Sequence, residues 1–262
     1  MNSAAARQTF VTQYAAIRHA EGRGSEDPAY YRALPYLDLT GRNGDAWRIR
    51  GQSFDHFVRK VLTPVERRVR RPLDVLDLGA GNGWMSWRLR QRGHRPVAVD
   101  FFTDCLDGLG AIRRYTQLAA VAADFDQLPL PDAAFDLAIY NASLHYSRNY
   151  ALTLKEAIRC LRPHGQIVVL DSPLYRKAEH GERMRSERQS LFERTYGFRS
   201  EALGSIEYLD EPALTRLAHE LGIQWRRSRP WYGWRWAMRP LLARLRGKRP
   251  PSRFFVISGR LV

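Results

Sequence analysis

The feature that most constrains the fold is a glycine-rich turn between a short apolar run and a helix. Residues 73–78 read LDVLDL, and the next five residues read GAGNG. Glycine adopts backbone conformations with positive φ and lets a ligand approach the main chain closely. A strand, a glycine turn and a helix in this order are typical of an α/β domain that binds a nucleotide-like ligand.

Four more short apolar runs follow the glycine turn, and helical patterns lie between them. The further strands are expected at 96–99, 118–123, 135–141 and 166–171, with helices at 84–92, 103–115 and 150–161. Beyond a polar stretch at 175–207, a helix ends at Gly222, a strand begins at Ile223, and a last strand covers 254–258. Strands that alternate with helices predict a mostly parallel sheet with helices on both faces. Its ligand crevice is expected at the carboxyl ends of the strands.

The spacing of the glycines argues against a phosphate ligand. Gly79, Gly81 and Gly83 follow the pattern GxGxG, whereas a dinucleotide-binding turn has GxGxxG. The position of the third glycine in that motif is Trp84, which has the largest side chain available. No Lys-Ser or Lys-Thr pair follows, so a nucleoside triphosphate loop is not indicated either.

Carboxylates stand at the expected strand ends and suit an adenosine without phosphates. Asp100 ends the second strand, 21 positions after Gly79, where a carboxylate can accept both hydroxyls of a ribose. Asp124 ends the third strand, where an adenine amino group would lie, and Phe125 offers a flat apolar face. Asp77 would favour a cationic amino group, although it could instead satisfy backbone amides of the loop.

Taken together, these segments resemble the class I S-adenosylmethionine-dependent methyltransferases, in particular the small-molecule group. The resemblance covers about residues 50–172 and rests on VLDLGAGNG, on VAVD, and on the runs at 122–146 and 161–172. It implies S-adenosylmethionine as the cofactor and a Rossmann-like, seven-stranded sheet whose last strand is antiparallel. The cofactor-binding residues it implies are Asp77, Gly79, Ala80, Gly81, Gly83, Asp100, Phe101, Asp124, Phe125 and Asn141.

Methyl transfer from a sulfonium requires few catalytic groups from the protein. The methyl group is already activated, so alignment of the reacting atoms should supply most of the rate. A general base matters only when the nucleophile starts out protonated. His145, just beyond the fourth strand, is the candidate catalytic residue, and Tyr140 and Tyr146 lie nearby. No metal site is expected, because the chain has no HExxH and no paired CxxC spacing.

The chain is expected to form one domain with two additions. Residues 1–52 are predicted to be a helical and irregular lid, with a helix over 5–20 and an irregular segment over 26–50. Residues 53–262 form the methyltransferase domain, beginning with a helix that Ser53 caps and Pro64 kinks. A basic insertion rich in Trp and Arg occupies about 229–252. With Tyr30, Tyr31, Tyr36 and Trp47, the N-terminal helix and the segment over 26–50 are expected to form a lid or pocket wall over the cofactor.

The excess of positive charge is concentrated in one segment. The formal net charge is +15, and residues 225–253 contain nine Arg, one Lys and no acid. Three interpretations stay open: a surface helix with solvated arginines, a peripheral contact with an anionic membrane through 231–249, or nucleic-acid binding. Nucleic acid is the less favoured partner. By family resemblance, methyltransferases that act on base amines often have an NPPY-type run at the fourth strand, and this chain has Asn141-Ala142-Ser143-Leu144 there instead.

Composition and the N-terminal sequence bound the cellular setting. The chain is 44% hydrophobic and 26% charged, which is typical of a globular protein, and has two cysteines. No run approaches about 18 apolar residues, and the first ten residues lack a signal core. We therefore expect a cytoplasmic enzyme that methylates a small, apolar or aromatic metabolite or a lipid-like acceptor. An RNA methyltransferase and a non-catalytic cofactor-binding partner protein are the alternatives.

Overall fold

The protein forms a seven-stranded sheet flanked by helices. The computed structural model describes residues 3–199 and 202–261. The strands are β1 Asp74–Leu78, β2 Arg95–Asp100, β3 Ala119–Ala122, β4 Phe135–Asn141, β5 Leu161–Leu170, β6 Leu174–Tyr175, β7 Leu209–Asp210, β8 Ile223–Ser228 and β9 Val256–Leu261. The helices are α1 Ser3–Ala20, α2 Pro28–Ala33, α3 Gly44–Phe57, α4 Thr63–Val69, α5 Trp84–Gln91, α6 Tyr150–Cys160, α7 Ala178–Tyr196, α8 Glu211–Leu221, α9 Trp234–Ala237 and α10 Arg239–Leu245.

The order of strands across the large sheet is β3-β2-β1-β4-β5-β9-β8, while β6 and β7 pair separately. The pairs β1–β2, β1–β4, β2–β3 and β4–β5 are parallel, and β9 is antiparallel to both β5 and β8. The predicted fold class is thus confirmed, including the antiparallel last strand. The chain leaves β1 towards β2 on one side and returns to β4 on the other, so a crevice opens between the ends of β1 and β4.

Each face of the sheet buries its own hydrophobic cluster. On β4, Ala138 and Tyr140 point into one cluster, whereas Leu137 and Ile139 point into the other. Side chains alternate between the two faces of a strand, so a strand covered on both sides must be apolar throughout. A fully buried Leu or Ile side chain contributes about 1.5–3 kcal/mol. This is why the apolar runs in the sequence identify the strands.

Side-chain caps determine where two of the predicted helices around the sheet begin. Asp210 accepts a hydrogen bond from the backbone nitrogen of Ala213 (2.7 Å) at the start of α8, and Gly222 follows its last residue with φ 62°. Asn149 caps α6 by accepting from the backbone nitrogens of Ala151 and Leu152. Such caps satisfy amides that have no partner within the helix.

The predicted helix over 103–115 is wrong. Residues 109–114 form a short 3₁₀ helix, and the segment before them consists of turns. Asp104 accepts from the backbone nitrogens of Leu106 and Asp107, which closes a local turn in place of a helix. Gly108 lies so close to Phe102 that an added Cβ would meet the Phe102 carbonyl oxygen at 2.5 Å. The side chain of Asp104 and this close approach therefore override the helical pattern.

The N-terminal region is more helical than predicted. The helix over 5–20 is confirmed as α1, but the segment over 26–50 contains α2 and the first half of α3 and is not irregular throughout. Ser53 lies inside α3, so its predicted capping role is wrong. A π-helical turn, Val58–Leu62, separates α3 from α4 just before Pro64, and it is the irregularity that the proline predicts.

Among the described residues, none of the helices is long and apolar enough to cross a membrane.

Candidate active site

A cavity of about 340 Å³ lies at the carboxyl edge of the sheet. Its floor is formed by the loops that follow β1, β2, β4 and β5, and α1 and α3 cover it. The lining includes Phe10, Tyr14, Arg18, Trp47, Arg50, Gly79, Ala80, Gly81, Asn82, Trp84, Asp100, Phe101, Phe102, Asp107, Phe125, Asn141, Ser143, His145, Tyr146, Asp171 and Phe254. Most of the predicted site residues therefore meet at one place.

The glycine loop is pressed against the floor of this cavity. The backbone nitrogens of Gly79 and Ala80 both donate to the Val99 carbonyl of β2, at 2.8 and 3.0 Å. Gly79 has φ 71°, and an added Cβ would lie 2.3 Å from the Cβ of Ser143. Ser143 in turn donates its hydroxyl to the Leu78 carbonyl at 2.5 Å. Glycine is required at position 79 both by the backbone conformation and by this contact.

Asp100 presents a carboxylate held in a fixed orientation. Its Oδ2 accepts from the backbone nitrogen of Gly81 (2.8 Å) and its Oδ1 from that of Phe102 (2.9 Å). Each carboxylate oxygen can accept more than one hydrogen bond, so both can still receive a hydroxyl. Burial raises the pKa of Asp100 to about 6, and the backbone donors act in the opposite direction.

Aromatic side chains wall the cavity next to Asp100. Phe10 of α1 lies 5.7 Å from Phe101, and Tyr14 meets Phe102 edge-on at 5.0 Å between ring centroids. Phe125, which follows β3, is buried and also lines the cavity. Flat apolar faces of this kind suit a planar ring such as a purine.

Three of the predicted site residues do not line the cavity. Asp77 points towards α5, where its Oδ2 accepts from the Ser86 hydroxyl (2.7 Å), and burial raises its pKa to about 7. Gly83 faces Ile112 and allows the chain to enter α5 with φ 79°. Asp124 lies beyond Phe125, where its carboxylate pairs with Arg7 of α1 at 2.6 Å.

Comparison with known proteins finds relatives for the middle of the chain. Residues 76–169 match the family model described as a methyltransferase domain. The malonyl-[acyl-carrier protein] O-methyltransferase of Buchnera aphidicola subsp. Baizongia pistaciae is 34% identical over 96 residues, which cover 37% of this chain and 38% of that protein. The enzyme of the same name from Pseudescherichia vulneris is 39% identical over 101 residues, again 37% of this chain and 38% of that protein. Residues 76–169 are thus similar to a methyltransferase domain.

The fold likeness extends beyond the matched segment. A solved S-adenosylmethionine-dependent methyltransferase from Mesorhizobium loti aligns with a TM-score of 0.52 at 20% identity, and it covers 72% of this chain and 91% of that one. At this identity the likeness shows the fold alone. The chain spans less than two fifths of the length of the curated relatives it matches.

The lining of this cavity fits S-adenosylmethionine better than it fits a dinucleotide. Two acids, Asp100 and Asp107, line the cavity beside the glycine loop. A pyrophosphate in that place would need cations or free amides instead. The Oδ1 atom of Asn141 at the end of β4 is buried and has no hydrogen-bond partner. An acceptor atom in that state suits a ligand that brings a donor or a positive charge.

Sequence reasoning missed a buried ion pair that closes the roof of the site. Arg18 of α1 donates to Asp107 Oδ2, and Asn82 of the glycine loop donates to the other oxygen of Asp107 at 3.3 Å. The Asp107 side chain is only 2% exposed, so the pair is shielded from water. Arg18 follows Tyr14 by four positions and Phe10 by eight, and this helical spacing was a signal that could have placed it above the cavity.

The opposite end of the cavity gathers His145, Arg50 and Asp171. His145 is buried, and its Nδ1 lies 3.3 Å from the Ser172 hydroxyl. Burial, together with the charges of Arg188 and Arg50, lowers the pKa of His145 to about 3. A neutral imidazole with so low a pKa holds a proton poorly. No pattern in the sequence indicated this lowered pKa, because Arg50 and Arg188 belong to two distant helices, α3 and α7.

Proposed function

We propose that the protein is an S-adenosylmethionine-dependent methyltransferase acting in the cytoplasm on a small, apolar or aromatic acceptor. The observation that carries the proposal is Asp100, whose two oxygens are oriented by backbone amides beside a glycine loop in an aromatic-walled cavity. Bound S-adenosylmethionine supplies an activated methyl group on a sulfonium. The residues of the chain bind it, align it with the acceptor and exclude water.

Each cofactor-binding residue has a proposed role. Asp100 accepts the two ribose hydroxyls, because a carboxylate forms strong hydrogen bonds to such a pair. Phe101 and Phe125 enclose the adenine, and the loop from Gly79 to Gly81 borders the methionine part together with Asn141. The three predicted residues that lie outside the cavity are proposed to support the site without contacting the cofactor. Asp77 and Gly83 shape the loop from behind, and Asp124 anchors α1 through Arg7.

Residues 1–52 are proposed to act as the lid over this cavity. Two ion pairs connect α1 to the loops after β2 and β3, one between Arg18 and Asp107 and one between Arg7 and Asp124. Trp47 of α3 lines the cavity as well. Tyr30 and Tyr31 are buried beside it without lining it, and Tyr36 is exposed and stacks on Arg88 at 4.9 Å. The lid role therefore falls on α1 and Trp47.

A peripheral contact with an anionic membrane through 231–249 is a further part of the proposal. Large apolar side chains are exposed along α9 and α10, with Trp234 at 77% and Leu245 at 75%. Arginines such as Arg235, Arg244 and Arg246 alternate with them. Trp and Leu beside Arg suit the boundary between water and lipid, whereas exposed Leu gains nothing from the phosphates of a nucleic acid. Nucleic acid therefore stays the less favoured partner.

Vesicle sedimentation tests the membrane contact. The protein is expected to sediment with vesicles that contain phosphatidylglycerol and to remain in solution with neutral vesicles. Trp234→Ala with Leu245→Ala should reduce the bound fraction several-fold without changing the free energy of unfolding by more than about 0.5 kcal/mol, because both side chains are exposed. Binding that persists after deletion of 231–249 would place the contact elsewhere. Binding to RNA that falls steeply with salt would favour the nucleic-acid alternative.

Two measurements together test the activity. Calorimetric titration should show one S-adenosylhomocysteine bound per chain, and NAD should not bind. Incubation with S-adenosylmethionine labelled in the methyl group should transfer label to a small-molecule fraction of a host extract. Cofactor binding without label transfer to any fraction would favour the non-catalytic partner protein. Failure to bind S-adenosylhomocysteine would reject the methyltransferase function itself.

A further inference from the structure

Asp171 lines the cavity together with His145 and Arg50, and it has an oxygen without a partner. It is the first residue after β5, it lines the cavity, and its side chain is buried. Its backbone has φ 49°, a left-handed conformation that is uncommon for a residue other than glycine. The Oδ2 atom of Asp171 is shielded from solvent and forms no hydrogen bond. A buried acceptor atom in that state needs an explanation, and a ligand donor supplies one.

A chain of two hydroxyls fixes the orientation of this carboxylate. Ser53 of α3 donates its hydroxyl to Asp171 Oδ1. The hydroxyl of Tyr232 lies 2.8 Å from the Ser53 oxygen. Because Ser53 has a single hydroxyl hydrogen and gives it to Asp171, Tyr232 must donate to Ser53. The arrangement holds one oxygen of Asp171 and leaves the other without a hydrogen-bond partner.

Arg50 places a partly buried cation at the same end. Its guanidinium lies over the ring of Trp47 at 5.1 Å, and its hydrogen bond goes to the Ala46 carbonyl of its own helix at 3.4 Å. Within the part of the chain that the structure describes, no carboxylate forms an ion pair with Arg50. Burial lowers the pKa of Arg50, and the charge of Asp171 acts in the opposite direction. The cation is thus available to an oxygen of a bound molecule.

The charged and titratable groups around Asp171 favour it over His145 as the proton acceptor. Burial raises the pKa of Asp171 to about 6, against the influence of Arg50 and the Ser53 hydrogen bond. Tyr232, whose hydroxyl donates to Ser53, has its pKa raised by burial and by the charge of Asp171, so it stays protonated. At neutral pH Asp171 is mostly ionised and can take a proton, whereas His145 has a pKa of about 3 and cannot keep one.

We propose that Asp171 is the general base of the transfer and that the acceptor presents a hydroxyl group to its free oxygen. The proposal rests on the proposed function, and it names the chemical class of the acceptor. The O–H bond of the acceptor breaks and its proton passes to Asp171 Oδ2. The oxygen keeps the electron pair and bonds to the methyl carbon, while the pair of the broken carbon–sulfur bond stays on sulfur. Arg50 stabilises the negative charge that develops on the oxygen, and Ser53 and Tyr232 are positioning residues.

Infrared difference spectroscopy tests the state of Asp171 without turnover. With S-adenosylhomocysteine bound, the wild type minus Asp171→Asn should show a protonated-carboxyl band that disappears as pH rises, with a midpoint near 6. Arg50→Gln should move that midpoint upward by about one unit, because it removes a nearby positive charge. The proposal is overturned if Asp171→Asn removes no carboxyl band between about pH 4 and pH 8.

Label transfer tests the role in the reaction. The acceptor probe is the metabolite fraction that takes up label with the wild type. Asp171→Asn keeps the Ser53 hydrogen bond and should reduce transfer about 100-fold or more, with affinity for S-adenosylhomocysteine within about twofold. With S-adenosylmethionine kept saturating at every pH, the wild-type rate should rise through pH 6 and then level off. The matched control is Asp132→Asn, whose carboxylate is 74% exposed and should not matter.

The outcomes separate this proposal from the function on which it rests. His145→Gln should leave the midpoint of the rate profile near pH 6. If His145→Gln removes that midpoint and Asp171→Asn does not, His145 is the base and the proposal fails. Retention of more than about a third of the transfer rate by Asp171→Asn also rejects it, because a base contributes far more. If the wild type binds no S-adenosylhomocysteine, or labels no fraction, the proposed function has failed instead.

Discussion

The two ends of the cavity are built in different ways. The cofactor end is assembled from a short stretch of chain, because the glycine loop follows β1 directly and Asp100 is the last residue of β2. The acceptor end draws on four distant segments, which contribute Arg50 with Ser53, His145, Asp171 and Tyr232. The cofactor end is therefore a property of the fold, whereas the acceptor end depends on the helices and loops that surround it.

The two buried carboxylates, Asp100 and Asp171, are held in different ways at the two ends. Burial raises the pKa of both Asp100 and Asp171 to about 6. Backbone amides hold both oxygens of Asp100, which makes it a rigid acceptor for a pair of hydroxyls. A serine hydroxyl holds only one oxygen of Asp171. Similar electrostatics thus support a binding role at one end and a proton-transfer role at the other.

The largest difference between the two ends is expected in cofactor affinity. Asp100→Ala removes two charge-assisted hydrogen bonds of about 1.5–3 kcal/mol each, so affinity for S-adenosylhomocysteine should fall by about 100-fold or more. Calorimetric titration measures it, and circular dichroism checks that the fold persists. Asp171→Asn is the matched change at the other end and should leave the affinity within about twofold. Equal losses from both changes would mean that the two ends are not distinct.

The glycine loop should tolerate a methyl group poorly. Gly79→Ala places a Cβ 2.3 Å from Ser143 in addition to its left-handed backbone strain. We expect a loss of about 2–4 kcal/mol in the free energy of unfolding, together with weaker cofactor binding. Gly93→Ala is the control, because Gly93 also has positive φ but nothing lies within 4 Å of its Cβ position. Its loss should be about 1 kcal/mol, measured by urea unfolding. Equal losses would contradict the close contact with Ser143.

Cofactor affinity should depend on pH through Asp100. The ribose hydroxyls need the ionised carboxylate, and the pKa of Asp100 in the free protein is about 6. Affinity should therefore be constant above pH 7 and fall up to about tenfold for each pH unit below 6. Titrations in buffers of different ionisation enthalpy should detect proton release on binding near pH 6. Asp171→Asn should keep this dependence and Asp100→Asn should abolish it; the reverse result would exchange the roles of the two carboxylates.

The smallest effect is expected at the far end of the hydroxyl chain. Tyr232→Phe removes the donor to Ser53 but leaves the Ser53–Asp171 hydrogen bond in place. A neutral hydrogen bond contributes about 1 kcal/mol, so label transfer should fall by about fivefold with cofactor affinity unchanged. Tyr36→Phe is a suitable control, since its hydroxyl donates to Asp55 at the surface. An effect on cofactor affinity would contradict the separation of the two ends.

The sequence predicted the cofactor end far better than the acceptor end. Apolar runs located the strands, and the acid after β2 was correctly expected at the carboxyl edge, because strand ends place such residues by topology alone. Asp77 and Asp124 were expected in the cavity, yet the direction of a side chain depends on its neighbours, Ser86 and Arg7. Asp171 was passed over because its partner Ser53 lies 118 positions away in the chain, and Tyr232, which donates to Ser53, lies 179 positions from Ser53. No local pattern encodes such a meeting.

A crystal structure with S-adenosylhomocysteine tests the central claim most directly. The account predicts that the ribose hydroxyls bind Asp100, that the adenine lies between Phe101 and Phe125, and that the sulfur points towards Asn141 and the Asp171 end. Density for the ligand outside this cavity, or a ribose that makes no contact with Asp100, would contradict it.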